Sequence, residues 1–270
     1  MIYKGVKYLP GAAESFIEGK LAKGIVSFSI DELTNHTGLS VTAAKQQLAH
    51  LGGMVSRVSP RQQYFLIVQP EHRTIGVPPI EWWLDDYFRW LGRPYYVALQ
   101  SAAGLYGSSH QAIQETQVIT NVPRREIIVG RIRLRFFTKT NTNRTISQEL
   151  PGAYAPLLVS TPESTAFDLI RYASEVGGIE RVAETIAPML PLLKPKKLQD
   201  VLDTENEITT AQRLGFVLET LDAGNLVNVV QKWLLPRHIQ TIPLFTSLAN
   251  DCPLTINRKW GIANKIESLK

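Results

Sequence analysis

"FSIDELTNHTGLSVTAAKQQLAHLGGM", residues 28–54, reads as helix, tight turn, helix. Asp31 is placed to cap the first of these helices, because the amide protons of a first turn have no partner inside the helix. Gly38 suits the left-handed residue that follows a helix end. Ser40 then caps a second helix, Val41 to Leu51, closed by Gly52 and Gly53. Upstream, Phe16, Ile17 and Leu21 share one face of a helix predicted over 11–23, and "IVSFSI" (25–30) reads as a short strand. Downstream, "MVSRVSPRQQYFLIV" (54–68) reads as two strands about a turn at Ser59–Pro60. Helix, strand, helix, helix, hairpin is the order of a winged helix-turn-helix.

On a wheel at roughly 100° per residue, Val41, Ala44, Leu48 and Leu51 fall on one side of the second helix. Thr42, Gln46, Ala49 and His50 fall opposite, with Ala43 and Gln47 flanking them. The outward face is small and polar and carries no acidic residue, so phosphates would not repel it. Gln pairs bidentately with adenine, and a Thr or Ala methyl suits the thymine methyl. Thr42, Ala43, Gln46 and His50 are therefore the candidate base readers. Ser40 with the first amides can hold a phosphate, Lys45 near the edge suits phosphate rather than bases, and the wing residues Arg57, Arg61 and Gln62 are placed for backbone or minor-groove contact. The competing reading is an ordinary helical bundle with a wet polar face. His36 and His50 have no His or Cys neighbour at metal-ligand spacing, so no metal is expected.

The 270 residues suffice for one large domain or two smaller ones. With 44% hydrophobic and 20% charged residues, the composition carries no signature of disorder. The net charge of +5 is uneven: +3 over 1–70, +3 over 71–150 and −1 over 151–270. A polyanionic partner is thus expected on the first half. Cys252 is the single cysteine, which excludes an internal disulfide and fits a cytoplasmic protein. The N-terminal residues lack a secretory signal, and no apolar run approaches the ~18 residues of a membrane helix.

"QPEHRTIGVPP" (69–79) reads as a proline-punctuated linker, which divides a winged helix at 1–70 from a second domain at 71–270. Beyond it come an aromatic-rich helix (80–92), a helix at 95–107, strands at 117–121 and 125–140, and four further helical stretches up to 235. Strands and helices mix without βαβ alternation, so the fold class expected is α+β. Trp82, Trp83, Tyr87, Phe88 and Trp90 have the residue types that stack on bases, but their helical spacing fits packing.

"STPE" (160–163) starts a helix in one of two ways: a capping box from Ser160 to Glu163, or Thr161 as cap with Pro162 first in the helix. Ala166, Phe167 and Ile170 then face inward, and Asp168 and Arg171, three apart, are expected to pair at the surface. Arg131, Arg133 and Arg135 point to one face at strand period two, opposite Ile132, Leu134 and Phe136, with Arg124, Arg125, Lys139 and Arg144 close by in sequence. Three like charges in a row repel unless an anion or carboxylates balance them. Arg124, Arg125, Arg131, Arg133 and Arg135 are thus candidates for an anion or partner surface, against the alternative of a solvated sheet face.

"YYVALQSAAGLYG" (95–107), "QVIT" (117–120), "STPESTAFDLI" (160–170), "GGIERVAE" (177–184) and "RKWGIANKIE" (258–267), following a winged helix, resemble the AbiEi family, the antitoxins of type IV toxin–antitoxin systems. The resemblance covers nearly the whole chain and departs from the family pattern around 190–258. It implies a winged helix that binds inverted repeats in double-stranded DNA upstream of its operon and represses it. It also implies an α/β antitoxin domain that counters a nucleotidyltransferase-like toxin in phage defence. Type IV antitoxins act without a stable toxin complex, so direct contact is not implied.

"YGSSHQ" (106–111) offers the Gly-Ser of a nucleotidyltransferase, but no D-x-D follows it. P-loop, Rossmann, zincin and protein-kinase signatures are missing, so neither catalytic residues nor a cofactor are expected. Two alternatives stand beside the antitoxin reading: a ligand-sensing transcriptional regulator, and an unconventional enzyme that modifies the toxin.

Overall fold

Ser29, rather than Asp31, starts the second helix of the N-terminal region. Its hydroxyl accepts the Glu32 amide at 3.1 Å, and Ile30 is already helical. Asp31 lies in the first turn, where its charge still complements the helix dipole. Gly38 ends this helix at φ +72°, and Ser40 Oγ accepts the Ala43 amide at 3.2 Å to start the next. These contacts come from a computed structural model that describes residues 11–108, 115–150, 156–244 and 254–265. Cys252, Ser109, His110 and Gln111 lie outside the described residues, as do Ile266 and Glu267.

The elements follow the order α1 (Ala12–Leu21), β1 (Ser27–Ser29), α2 (Ile30–Thr37), α3 (Val41–His50), β2 (Val55–Arg57), β3 (Tyr64–Ile67) and α4 (Leu84–Leu91). Then come β4 (Tyr95–Val97), α5 (Leu99–Leu105), β5 (Thr116–Thr120), β6 (Ile127–Val129), β7 (Ile132–Thr138), β8 (Ser147–Glu149), β9 (Leu158–Ser160) and α6 (Pro162–Arg171). The chain continues through α7 (Gly178–Ile186), α8 (Pro195–Glu205), α9 (Ile208–Thr220), α10 (Gly224–Leu234), β10 (Ile242–Pro243), β11 (Leu254–Asn257) and β12 (Ile262–Lys265). The class is α+β. No described helix is long and apolar enough to cross a membrane.

Two compact units result. One holds Met1–Pro94 with Arg125–Arg135 and Leu150–Leu157, and the other holds Tyr95–Arg124, Phe136–Glu149 and Leu158–Lys270. This division does not follow the 70/71 split expected at the linker, and local contacts give the reason. Tyr64 packs against Tyr87 and Trp90 with tilted rings, centroids 5.4 and 5.0 Å apart, which ties α4 to β3. The Arg131 amide donates to Ile75 O at 2.8 Å, and Gly130 meets Ile75 and Gly76 so closely that a Cβ would lie 2.3 Å from Ile75 O. The proline-rich segment and the β6–β7 hairpin as far as Arg135 therefore belong with the N-terminal unit.

Within that unit, β1, β3 and β2 form an antiparallel sheet, with Phe28 opposite Phe65 and Val55 opposite Ile67. One apolar cluster joins it to the helices: Phe16 and Ile17 from α1, Leu33 from α2, Ala44 and Leu48 from α3, and Phe28, Phe65 and Ile67 from the strands. Trp83, Tyr87 and Phe88 are fully buried, so most of the aromatic run is packing.

In the second unit, β4 pairs antiparallel with β5 and parallel with β9, which in turn pairs with β8. The helices α6 to α10 build its core, which includes Phe167, Ile170, Val182, Leu202, Leu214 and Val230. Thr161 caps α6, accepting the Ser164 amide at 3.3 Å, with Pro162 at the first helical position. Of the two starts read from "STPE", this one is adopted. Ser160 is instead buried against Thr165, their hydroxyls 2.7 Å apart. The terminal strands β11 and β12 form a hairpin, with β10 parallel to β12.

Candidate nucleic-acid interface and a buried ionic cluster

The outward face of α3 stands largely as the wheel predicts. Thr42, Lys45, Gln46, Ala49 and His50 are exposed, Ala43 is half-buried, and Ala44 and Leu48 are in the core. The first turn carries no acidic residue. Gln47, on the flank, is committed to structure: its Oε1 accepts the Ala13 amide at 2.9 Å and fixes the start of α1. Val41 departs from the expected inward side and is 44% exposed.

The wing is more constrained than its basic residues suggest. Arg57 Nε donates to Gln62 O at 2.6 Å, and its guanidinium lies 6.0 Å from the Phe65 ring centroid. Gln62 Oε1 accepts the Tyr87 hydroxyl at 2.6 Å. Arg61 alone of the three wing residues is exposed, and it stands at the turn. Of the candidate residues on α3 and in the wing, Ser40, Thr42, Lys45, Gln46, His50 and Arg61 are exposed.

The arginine row is only partly a row. Arg131 precedes β7, in the turn after Gly130, so it does not share the strand's alternation. Arg133 is exposed and pairs with Glu126 at 3.2 Å, which supplies a balancing carboxylate. Arg135 is half-buried and Arg125 exposed. The alternation fails after Arg135, because Phe136 is half-buried while Phe137 is buried. In the second unit, Arg124 lies 5.4 Å from the Phe136 ring centroid.

Asp168 does not pair at the surface, and Lys139 does not join a basic face. Both are buried, with side-chain exposures of 1% and 2%. Lys139 Nζ donates to Asp168 Oδ1 at 3.1 Å, Glu205 Oε1 at 2.6 Å and Tyr96 Oη at 3.2 Å. Tyr96 donates to Asp168 Oδ2 at 2.7 Å, and Thr145 to Glu205 Oε1 at 3.0 Å. Arg171 bridges Glu205 at 2.9 Å and Glu207 at 2.8 Å. Burial raises the Asp168 carboxyl above its ordinary range despite the ammonium beside it. Burial also raises the Tyr96 hydroxyl, and the Asp168 charge reinforces that shift. With Lys139, Arg144 and Arg171 facing Glu205 and Glu207, the outer edge of the cluster lines a cavity of about 180 Å³. Three cations face two carboxylates there, Asp168 adds a third behind them, and the hydrogen bonds are nearly all internal. The cluster therefore fastens β4, the β7–β8 connection, α6 and α8 together. The sequence shows its residues but not their convergence, since Lys139 and Asp168 lie 29 positions apart.

Residues 95–220 match the family of the AbiEi antitoxin C-terminal domain. This segment is similar to that antitoxin domain. It contains Tyr96, Lys139, Asp168, Arg171 and Glu205, so the ionic cluster lies wholly within the AbiEi match. The match also runs through α8 and α9, part of the stretch where the sequence departs from the family pattern. Among solved structures, the crystal structure of the RV2827C protein from Mycobacterium tuberculosis aligns with a TM-score of 0.65 at 13% identity. That alignment covers 96% of this chain and 93% of the other. At this identity the likeness is one of fold, and it extends well beyond the AbiEi segment. No curated protein matches the chain.

Proposed function

We propose that this protein is the antitoxin of a toxin–antitoxin system, countering a nucleotidyltransferase-like toxin and repressing its own operon. The match of residues 95–220 to the AbiEi antitoxin domain carries the antitoxin part. The DNA-binding part is supported by α3, whose exposed face presents Thr42, Lys45, Gln46 and His50 with no carboxylate in its first turn. In this reading Thr42, Ala43, Gln46 and His50 meet base edges, while the Ser40 end of α3, Lys45 and Arg61 meet phosphates. Arg57 and Gln62 act by holding the wing. The toxin is countered by the AbiEi segment, and Arg125, Arg131, Arg133 and Arg135 are its candidate polyanion- or partner-facing residues. A non-enzymatic role fits Ser108, whose hydroxyl donates to the Thr185 carbonyl instead of standing free for phosphate.

Co-expression tests both parts in one strain. The full chain is expressed with the neighbouring toxin gene and with a reporter driven by the upstream DNA. The proposal expects growth rescue together with reporter repression. Replacing Arg131, Arg133 and Arg135 by Gln weakens rescue and spares repression. Undiminished toxicity in the presence of folded protein contradicts the antitoxin assignment.

A further inference from the structure

Among the described residues up to Ile67, Val41 alone is an exposed large hydrophobic side chain, at 44%. Its position on the wheel, in line with Ala44 and Leu48, would put it in the core. Its place at the first position of α3 takes it out again. Helical side chains lean toward the N-terminus, so the first residue projects past the end of the helix with no preceding turn beneath it. Helix propensity does not select a β-branched residue there, since valine is a middling helix former. What surrounds it is polar: Thr42 and Lys45 are exposed, and Ser40 caps the helix. The N-terminal residues of the second helix in a helix-turn-helix are those that reach base edges, and the one apolar group the major groove offers is the C5-methyl of thymine.

We propose that Val41 is a specificity-determining residue whose isopropyl group packs on the C5-methyl of a thymine in double-stranded DNA. This rests on the reading of α3 as the groove-entering helix.

The test removes the methyl from the DNA and the isopropyl from the protein. The full chain is titrated against the duplex upstream of its own gene, with thymines replaced one at a time by deoxyuracil. The wild type is expected to lose about fourfold in affinity at one thymine per half-site, the worth of one buried methyl-sized group. Val41→Ala is expected to bind the unmodified duplex about as weakly and to ignore that replacement, while Val41→Ile keeps the sensitivity. A wild type indifferent to every replacement overturns the inference while specific binding stands, and so does a Val41→Ala chain as sensitive as the wild type. A wild type with no preference for the upstream duplex over unrelated DNA overturns the groove reading itself, and Val41's role with it.

Discussion

Lys139 Nζ donates to Asp168 Oδ1 at 3.1 Å with both side chains shut away from water. Glu205, 2.6 Å from the same nitrogen, is nearly as buried, at 6%. One ammonium therefore faces two interior carboxylates, of which Glu205 is also bridged by Arg171 at 2.9 Å. Replacing Lys139 by Met leaves both without that cation, which costs about 3–5 kcal/mol when one partner of a buried pair is removed. Urea unfolding of the variant measures it. Asp168 already has its carboxyl raised by burial, and without Lys139 it rises further. A carboxyl with a raised folded-state value favours the protonated form, so its contribution to stability falls as pH rises through that value. The variant's deficit is therefore largest at neutral pH and shrinks as pH falls toward the ordinary carboxylate range.

Gly215 lies against the indole of Trp260. A Cβ at this glycine would stand 2.2 Å from Trp260 Cζ3, and Trp260 is fully buried. Gly215→Ala is expected to destabilise the protein by about 1–3 kcal/mol through overpacking. Combining it with Trp260→Leu should recover part of that loss, so that the two changes are not additive. Thermal melts of the two single variants and the double variant show whether they couple.

The same tryptophan gives the terminal hairpin a pH dependence. Trp260 Nε1 donates to Glu219 Oε2 at 2.6 Å, and Lys259 pairs with the other oxygen. Burial pushes the Glu219 carboxyl up, but these two bonds outweigh it and the net shift is downward. A depressed carboxyl contributes stability that is present above its ordinary range and lost as pH falls through the lowered value. Trp260 fluorescence should report loosening of the hairpin on the acid side. Glu219→Gln should weaken the hairpin at neutral pH and flatten that acid transition.

On α3, Gln46→Ala should cost about 1–3 kcal/mol of operator binding and relax the preference at one base pair, if the contact is bidentate. Lys45→Ala should weaken binding to all sequences alike and lower the salt slope by about 0.9, the worth of one phosphate contact. Fluorescence anisotropy at several salt concentrations, on cognate and scrambled duplexes, separates the two behaviours.

Much of the fold is legible wherever a signal is local. The Gly38 and Ser40 boundaries, the start of α6 and the four helices from α7 to α10 follow from caps and periodicity within a few residues. Asp168 shows where that stops. Its spacing from Arg171 describes a surface pair, and only Lys139 and Glu205, brought in from other elements, make it interior. Val41 fails for a different reason: a wheel has no ends, so it places a first-turn residue as though another turn lay beneath it. The period-two spacing puts Arg131 in a strand that begins one residue later, a matter of where the turn at Gly130 closes. The pairing of Gln62 with Tyr87 spans 25 residues and has no sequence signal.

The most direct measurement is a gel-shift titration of the full chain on the DNA upstream of its own gene, with unrelated DNA as competitor, at two salt concentrations. The account predicts tight, competitor-resistant binding that weakens as salt rises. Equal affinity for the upstream and unrelated duplexes would contradict it, leaving α3 a structural helix and the function to the segment similar to the AbiEi domain.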